Sequence, residues 1–280
     1  MRVGFIGLGS QGAPMARRIV EAGHQTTLWA RRPAALAPFA DTAAKTAGSP
    51  AELAAASDLV CLCVVADADV EQVGEAVLTG LRPGGIVAVH STVHPDTCRR
   101  LARRAAAQGV AVLDAPVSGG GRAAEQGSLV VMAGGDAEVL DACRPVFSAY
   151  GDPVVHLGPV GSGQIAKLLN NLLFTAQLGL AADAFALGDR LGLDPAGLGR
   201  ILPRGSAASF ALERLADAGG SLDRIGAHAG GLLAKDVRLF AEVAEAAEAA
   251  AGEQGAAGPG AVGPGSVEAA ARAALTAMGR

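Results

Sequence analysis

Within its first twelve residues the chain passes from an apolar segment, RVGFI, into three glycines, Gly7, Gly9 and Gly12, spaced GxGxxG. It then enters APMARRIVEA, which has helical apolar spacing. This order leaves little freedom: an apolar strand must turn sharply into a helix that packs back against it. Gly7 permits the tight turn, Gly9 lets backbone approach a pyrophosphate, and Gly12 lets helix and strand pack closely. The helix N-terminus, with its unpaired N–H groups, attracts the phosphates. The turn predicts dinucleotide binding, with Gly7, Leu8, Gly9, Gln11 and Gly12 as cofactor-binding residues. The alternative is a glycine-rich strand–helix turn without a ligand.

The next 140 or so residues repeat the alternation. QTTLWA, the continuous apolar run DLVCLCVV, GIVAVHS, VAVLDAP, SLVVMAGG and PVVHLG read as strands, with helical segments between most of them. A continuous apolar run is what a parallel strand covered on both faces requires. SPAEL at 49–53 carries a full helix start, with Ser49 as cap, Pro50 in the first turn and Glu52 reaching back to the cap. Asp67 is expected to cap the following helix. After residue 160 no strand is evident. A long helix is expected over 163–191, shorter ones over 194–202, 206–217 and 221–229, another near 231–251, and a last over 266–278 capped by Ser266. The Gly/Pro/Ala-rich stretch 252–266 reads as a flexible connection. The expected fold class is α/β: an N-terminal Rossmann-type doubly wound sheet, then an all-α C-terminal domain, joined by a long helix. The domains are expected at 1–160, binding the dinucleotide, and 161–280, serving substrate and oligomerisation.

Composition narrows the function. The net charge of −4 and the lack of a basic face give no reason to expect nucleic acid. The longest apolar stretch, near 172–188, contains Gln177 and Asp183 and falls short of a membrane span. Cys61, Cys63, Cys98 and Cys143 form no CxxC pair and no zinc spacing, so no metal is expected. With no targeting segment visible and the cysteines read as small buried residues in a reducing compartment, the expectation is a cytoplasmic protein.

Three further stretches carry chemistry. After the second strand comes WARRPA, with Arg31 and Arg32 and no acid before Asp41. An acid there would bind the ribose hydroxyls of NAD, whereas a guanidinium suits the 2′-phosphate of NADP. The expected cofactor is therefore NADP, with NAD the alternative and two solvated arginines the bland reading. DAPVSGGGRAAEQGSL (114–129) offers the Ser118 hydroxyl and the unobstructed N–H groups of Gly119 to Gly121, which can hold a carboxylate. GPVGSGQIAKLLNN ends on Lys167 and Asn171, four apart and on one helix face, with Asn170 pointing elsewhere. A lysine in a cleft, its pKa lowered by desolvation or nearby positive charge, can move a proton, and an asparagine one turn on can orient it. A polar patch at a helix start is the alternative. The junction of two domains, where ligand sites concentrate, favours the chemical reading.

In this order these stretches resemble the β-hydroxyacid dehydrogenase family, which includes 3-hydroxyisobutyrate dehydrogenase and tartronate semialdehyde reductase and is related to 6-phosphogluconate dehydrogenase. The resemblance covers nearly the whole chain: GLGSQGAPMA for the cofactor loop, with Gln11 where methionine is usual, DAPVSGG for the substrate loop, GPVGSGQIAKLLNN for the catalytic segment, and KDVRLF (235–240) for a later Lys-Asp motif. It implies that Lys167 exchanges the proton with the substrate oxygen and Asn171 orients it. It implies that Ser118, Gly119 and Gly120 hold the substrate carboxylate, and that Arg31 keeps the phosphate-binding position. Thr92, in HSTVHP, is implied near the nicotinamide, Val64 and Val65 along the cofactor, and Lys235 beside cofactor or substrate. The activity implied is hydride transfer between NADP and a small β-hydroxy acid or its semialdehyde, in a homodimer or homotetramer. Two other readings remain: an imine reductase of the same fold, against which Lys167 argues, and a non-catalytic NADP-binding scaffold, against which the intact Lys167/Asn171 pair argues.

Overall fold

The computed structural model describes residues 1–253 and 265–280, with side chains described for 1–250 and 265–280. The connection expected over 252–266 thus lies for the most part outside the described residues. The chain divides into two compact units, Met1–Lys167 and Leu168–Arg280.

The first unit is built on a parallel sheet of six strands: β1 (Val3–Ile6), β2 (Thr26–Trp29), β3 (Lys45–Thr46), β4 (Leu59–Leu62), β5 (Ile86–Val89) and β6 (Ala111–Asp114). They lie in the order β3-β2-β1-β4-β5-β6. Val3 is in register with Thr26 on one side and Leu59 on the other, so β1 and β4 flank the point where the winding reverses. Ligands bind outside the carboxyl ends of the strands at such a point. Helices α1 (Gly12–Glu21), α2 (Pro50–Ala55), α3 (Asp67–Leu78) and α4 (Pro95–Ala106) connect them. β1 supplies Phe5 to one apolar cluster, with Met15, Ile19, Leu28 and Tyr150, and Ile6 to a second, with Leu53, Val60 and Leu62. Successive strand residues feed opposite faces, and both faces are covered. Cys61 and Cys63 both belong to the Phe5 side.

The apolar runs after residue 114 form a separate three-stranded sheet. β8 (Leu129–Ala133) lies between β7 (Val117–Ser118), antiparallel to it, and β9 (Gly151–His156), parallel to it. Helix α5 (Gly120–Gln126) joins β7 to β8, and α6 (Ala137–Phe147) joins β8 to β9.

The second unit is helical. α7 (Ser162–Arg190) gives its first turns to the first unit and the rest to the second. By length and composition it is apolar enough to cross a membrane, with mean hydropathy 1.2 in its best window, a third of which is buried. Two of its polar groups, however, pair within the protein: the Thr175 hydroxyl donates to the Asn171 carbonyl, and Asn171 bonds to a buried carboxylate. α8 (Pro195–Ile201), α9 (Phe210–Asp217), α10 (Asp223–Glu253) and α11 (Ser266–Ala277) follow.

Several expected boundaries shift for local reasons. Ser49 caps α2 as expected, but Glu52 reaches the Gly48 N–H rather than that of the cap. Asp67 is not a cap. It is the first residue of α3, and its Oδ1 accepts from His94 N and Thr97 Oγ1. Ser266 is likewise the first residue of α11, after Gly265. α9 starts at 210 because Ser209 Oγ takes the Leu212 N–H. The helices expected at 221–229 and 231–251 are one, because Gly226 and Gly230 are where α10 lies against Met278 and Arg280. That close approach offsets the glycines' low helix propensity.

Candidate active site

At the end of β1, Gly7 has φ +102°, and a Cβ there would collide with the Cys63 carbonyl at the end of β4. A Cβ on Gly12 would collide with the Gly7 carbonyl, whereas one on Gly9 would meet open space. Glycine at 7 and 12 is thus forced by the close approach of β1, β4 and α1. Glycine at 9 leaves backbone exposed to whatever enters. The N-cap of α1, Gln11, makes no side-chain cap bond, and no acid lies in the first turn. Among the described side chains Gln11 Nε2 is buried without a hydrogen-bond partner. Open space over Gly9 beside an uncapped helix start of ten residues fits the pyrophosphate of a dinucleotide.

The cleft beside this turn has a volume of about 380 Å³ and is lined by Gly7, Leu8, Gly9, Arg31, Val64 and Val65 among others. Six of the ten sequence-derived cofactor residues thus share one cavity, between the ends of β1, β2 and β4. Asp69 on α3 also lines it, and accepts a 2.8 Å hydrogen bond from Arg31 Nη2 at Oδ1. The guanidinium holds the Asp69 carboxyl below its ordinary range. At the end of β5 the buried Ser91 hydroxyl accepts from Val64 N at 2.9 Å, which ties that loop to the β4 end and leaves Thr92 as its half-buried neighbour.

The glycines of the proposed substrate loop have φ +130° (Gly119) and +75° (Gly120), both in the region that favours glycine. Gly121 lies against the Ser10 carbonyl, so this loop abuts the cofactor turn.

The first turns of α7 are fixed to the same strand ends. Asp114, the last residue of β6, is fully buried. Its Oδ1 accepts from Gly161 N (2.6 Å) and its Oδ2 from Gln164 N (2.8 Å), a remote cap for the helix. Burial pushes its pKa up, and these backbone donors pull it down. Gln164, also fully buried, accepts from Val93 N (3.1 Å) and donates to Ser91 O (2.8 Å), and so brackets Thr92. Lys167 follows Gln164 by three residues on this anchored segment.

In the second unit Asn171 Nδ2 donates to Asp236 Oδ2 at 2.5 Å, and Lys235 Nζ lies 3.1 Å from Asp236 Oδ1. Among the described residues Asp236 Oδ1 has no hydrogen-bond partner of good geometry, so that contact is an ion pair of poor angle. Asn170, expected to point away, donates to Asn171 Oδ1 at 3.0 Å. Asp69, Asp114, Gln164 and Asp236 were not singled out from sequence. Asp114 and Asp236 stand inside DAPVSGG and KDVRLF; for Asp114 the available signal was a carboxylate closing an otherwise apolar strand, whereas Asp236 lies within helix α10.

Fold and cleft are those of a dinucleotide-binding protein. Residues 2–158 match the family profile described as the NAD binding domain of 6-phosphogluconate dehydrogenase, and 161–257 match the NAD-binding domain of NADP-dependent 3-hydroxyisobutyrate dehydrogenase. The chain is 36 % identical over 255 residues to an NAD-dependent L-serine dehydrogenase of Pseudomonas aeruginosa, covering 88 % of this chain and 86 % of that one. It is 35 % identical over 213 residues to a 3-hydroxyisobutyrate dehydrogenase of the same organism, covering 75 % and 72 %. A structure of Mycobacterium tuberculosis 3-hydroxyisobutyrate dehydrogenase with L-serine superposes with a TM-score of 0.77 at 28 % identity, covering 97 % of this chain and 91 % of that one. A Streptomyces aurantiacus imine reductase, at 22 % identity, TM-score 0.67 and coverage of 100 % and 94 %, shares the fold. The chain belongs to the β-hydroxyacid dehydrogenase family, whose members oxidise or reduce at CH–OH groups with a nicotinamide cofactor.

Proposed function

We propose that this chain is an NADP-preferring oxidoreductase for a small β-hydroxy acid or its semialdehyde, with Lys167 as general acid/base. The observation that carries the reading is the anchoring of the Lys167 segment. Buried Asp114 and Gln164 hold it to the strand ends that also bear the glycine turn and Thr92. A bound nicotinamide supplies the hydride acceptor or donor. Lys167 takes the proton from the substrate hydroxyl on oxidation and returns it on reduction. Ser118 and the N–H groups of Gly119 and Gly120 receive the carboxylate, and Asn171, itself oriented by Asp236, positions the substrate oxygen. Gly7, Leu8, Gly9, Gln11 and Gly12 cradle the pyrophosphate, Val64 and Val65 border the cofactor, and Lys235 approaches cofactor or substrate. Arg31, with no acid at the end of β2, supports NADP over NAD, as does the NADP-dependent description of the second family profile. A cytoplasmic homodimer or homotetramer is the form we infer.

The test is a panel of small β- and γ-hydroxy acids and semialdehydes with NAD and NADP separately, for wild type and Lys167→Ala. The expected result is turnover with NADP favoured, and a kcat loss of roughly 10² to 10⁴ in the variant. Near wild-type kcat in Lys167→Ala would remove the lysine's role. Turnover of cyclic imines with NADPH and of no hydroxy acid would overturn the substrate class, and tight NADPH binding without any turnover would leave a scaffold.

A further inference from the structure

We propose that Asp69 sets the cofactor preference of this cleft, by competing with a 2′-phosphate for the guanidinium of Arg31. The inference rests on the reading of Arg31 as the residue that meets that phosphate. Its basis is the unequal anchoring of the two partners. Asp69 sits in the first turn of α3, where Oδ2 also accepts from Ala66 N at 3.3 Å, and its side chain is 24 % exposed. Arg31 is 65 % exposed and reaches Asp69 through Nη2 alone. The carboxylate is therefore the fixed partner, and the arginine is the arm that can turn. A 2′-phosphate that takes the guanidinium must draw Nη2 away from Asp69, so that binding it costs the existing ion pair. A ribose bearing a free hydroxyl meets the opposite situation, because Asp69 is an acceptor on the wall of the same cleft. The end of β2 has no acid, and α3 supplies one from 38 residues further along the chain. Asp69 thereby lowers the advantage that Arg31 gives to the phosphorylated cofactor and keeps the unphosphorylated one usable.

The experiment measures dissociation constants of 2′,5′-ADP and 5′-AMP by calorimetry on the full chain, without turnover. The variants are Asp69→Asn, Asp69→Ser, Arg31→Ala and the double variant Asp69→Asn/Arg31→Ala. Asparagine keeps an oxygen for Ala66 N, and serine keeps a short acceptor there, so that a folding defect in one variant leaves the other readable. The expected result is tighter 2′,5′-ADP by about fivefold in both Asp69 variants, the size expected from an exposed ion pair. Binding of 5′-AMP is expected to be unchanged or weaker, and the gain should vanish in the Arg31→Ala background. An unchanged ratio of the two ligands in the Asp69 variants, with 2′,5′-ADP weakened by Arg31→Ala, overturns the inference and leaves the reading of Arg31 intact. A gain that persists without Arg31 overturns it too, since Asp69 would then act by repulsion alone. If Arg31→Ala leaves 2′,5′-ADP binding unchanged, the reading of Arg31 itself fails, and the inference with it.

Discussion

His90, the residue after β5, is a buried imidazole that burial keeps in its neutral form. Nδ1 lies 2.6 Å from the Ala115 carbonyl and must donate to it, which leaves Nε2 to accept from the Tyr150 hydroxyl at 3.2 Å. Phe5 stacks parallel to the ring at 6.4 Å and Phe147 meets it edge-on at 5.5 Å. Burial pushes the His90 pKa down to about 4. The folded-state value therefore lies below the unfolded one of about 6.5. The stability this group allows is complete above about pH 6.5 and is lost as the pH falls toward 4. By pH 4.5 the loss is on the order of 2 to 3 kcal/mol. We expect the free energy of unfolding in urea, measured at intervals from pH 7.5 to 4.5, to fall less steeply in His90→Gln than in wild type, by about that amount. Parallel slopes would mean that His90 is not the group that titrates. Taking the difference between the two proteins matters, because Asp114, with its raised pKa, opposes the trend in both.

At the scale of elements, the decisive contact is the seating of α7 on the strand ends by Asp114 and Gln164. Replacing Gln164 with methionine keeps the length and removes both polar partners, leaving Val93 N–H and Ser91 C=O buried and unsatisfied. Stability is expected to fall by about 2 to 4 kcal/mol, read from the urea midpoint at constant m-value. A loss under about 0.5 kcal/mol would mean that the loop finds other partners. This contact also marks where the sequence stops being informative. The glycine turn was legible because its constraints are local: Gly7, Gly9 and Gly12 lie within six residues of one another. The covered strands of the main sheet were legible because a doubly covered parallel strand must be a continuous apolar run, as Leu59–Leu62 is, whereas β3, the two exposed residues Lys45–Thr46, carries no such signal and was not read. The same rule could not separate β8 from the main sheet, since Leu129–Ala133 is equally apolar and only pairing tells them apart. Asp114 with Gln164, Arg31 with Asp69 and Asn171 with Asp236 join residues 50, 38 and 65 positions apart, and no local pattern encodes those distances. Ser49 was readable as a cap, whereas Asp67 and Ser266 carry the same signal one residue inside their helices.

For the molecule as a whole, the feature left to account for is the outer face of α7. Leu169, Leu173, Leu180 and Leu187, with Leu191 just beyond the helix end, are between 48 % and 69 % exposed. At about 100° per residue they fall within a stripe some 40° wide. Single exposed leucines need no explanation, but four in line along 29 helical residues, with a fifth just past them, form the kind of apolar seam that a partner helix covers. Of the assemblies inferred for this chain, a dimer in which the stripe meets its own copy is the simplest, because a two-fold axis lets one self-complementary surface serve both subunits. Light scattering after size exclusion is expected to give at least twice the chain mass of 27.7 kDa. Leu180→Glu/Leu187→Glu places two charges on the seam and is expected to yield the monomer, with the circular dichroism of the helices retained. Binding of 2′,5′-ADP should survive that change, because the cleft lies wholly within Met1–Lys167. A wild-type chain that elutes as a monomer at micromolar concentration, or a double variant that keeps its mass, would leave the stripe without this role.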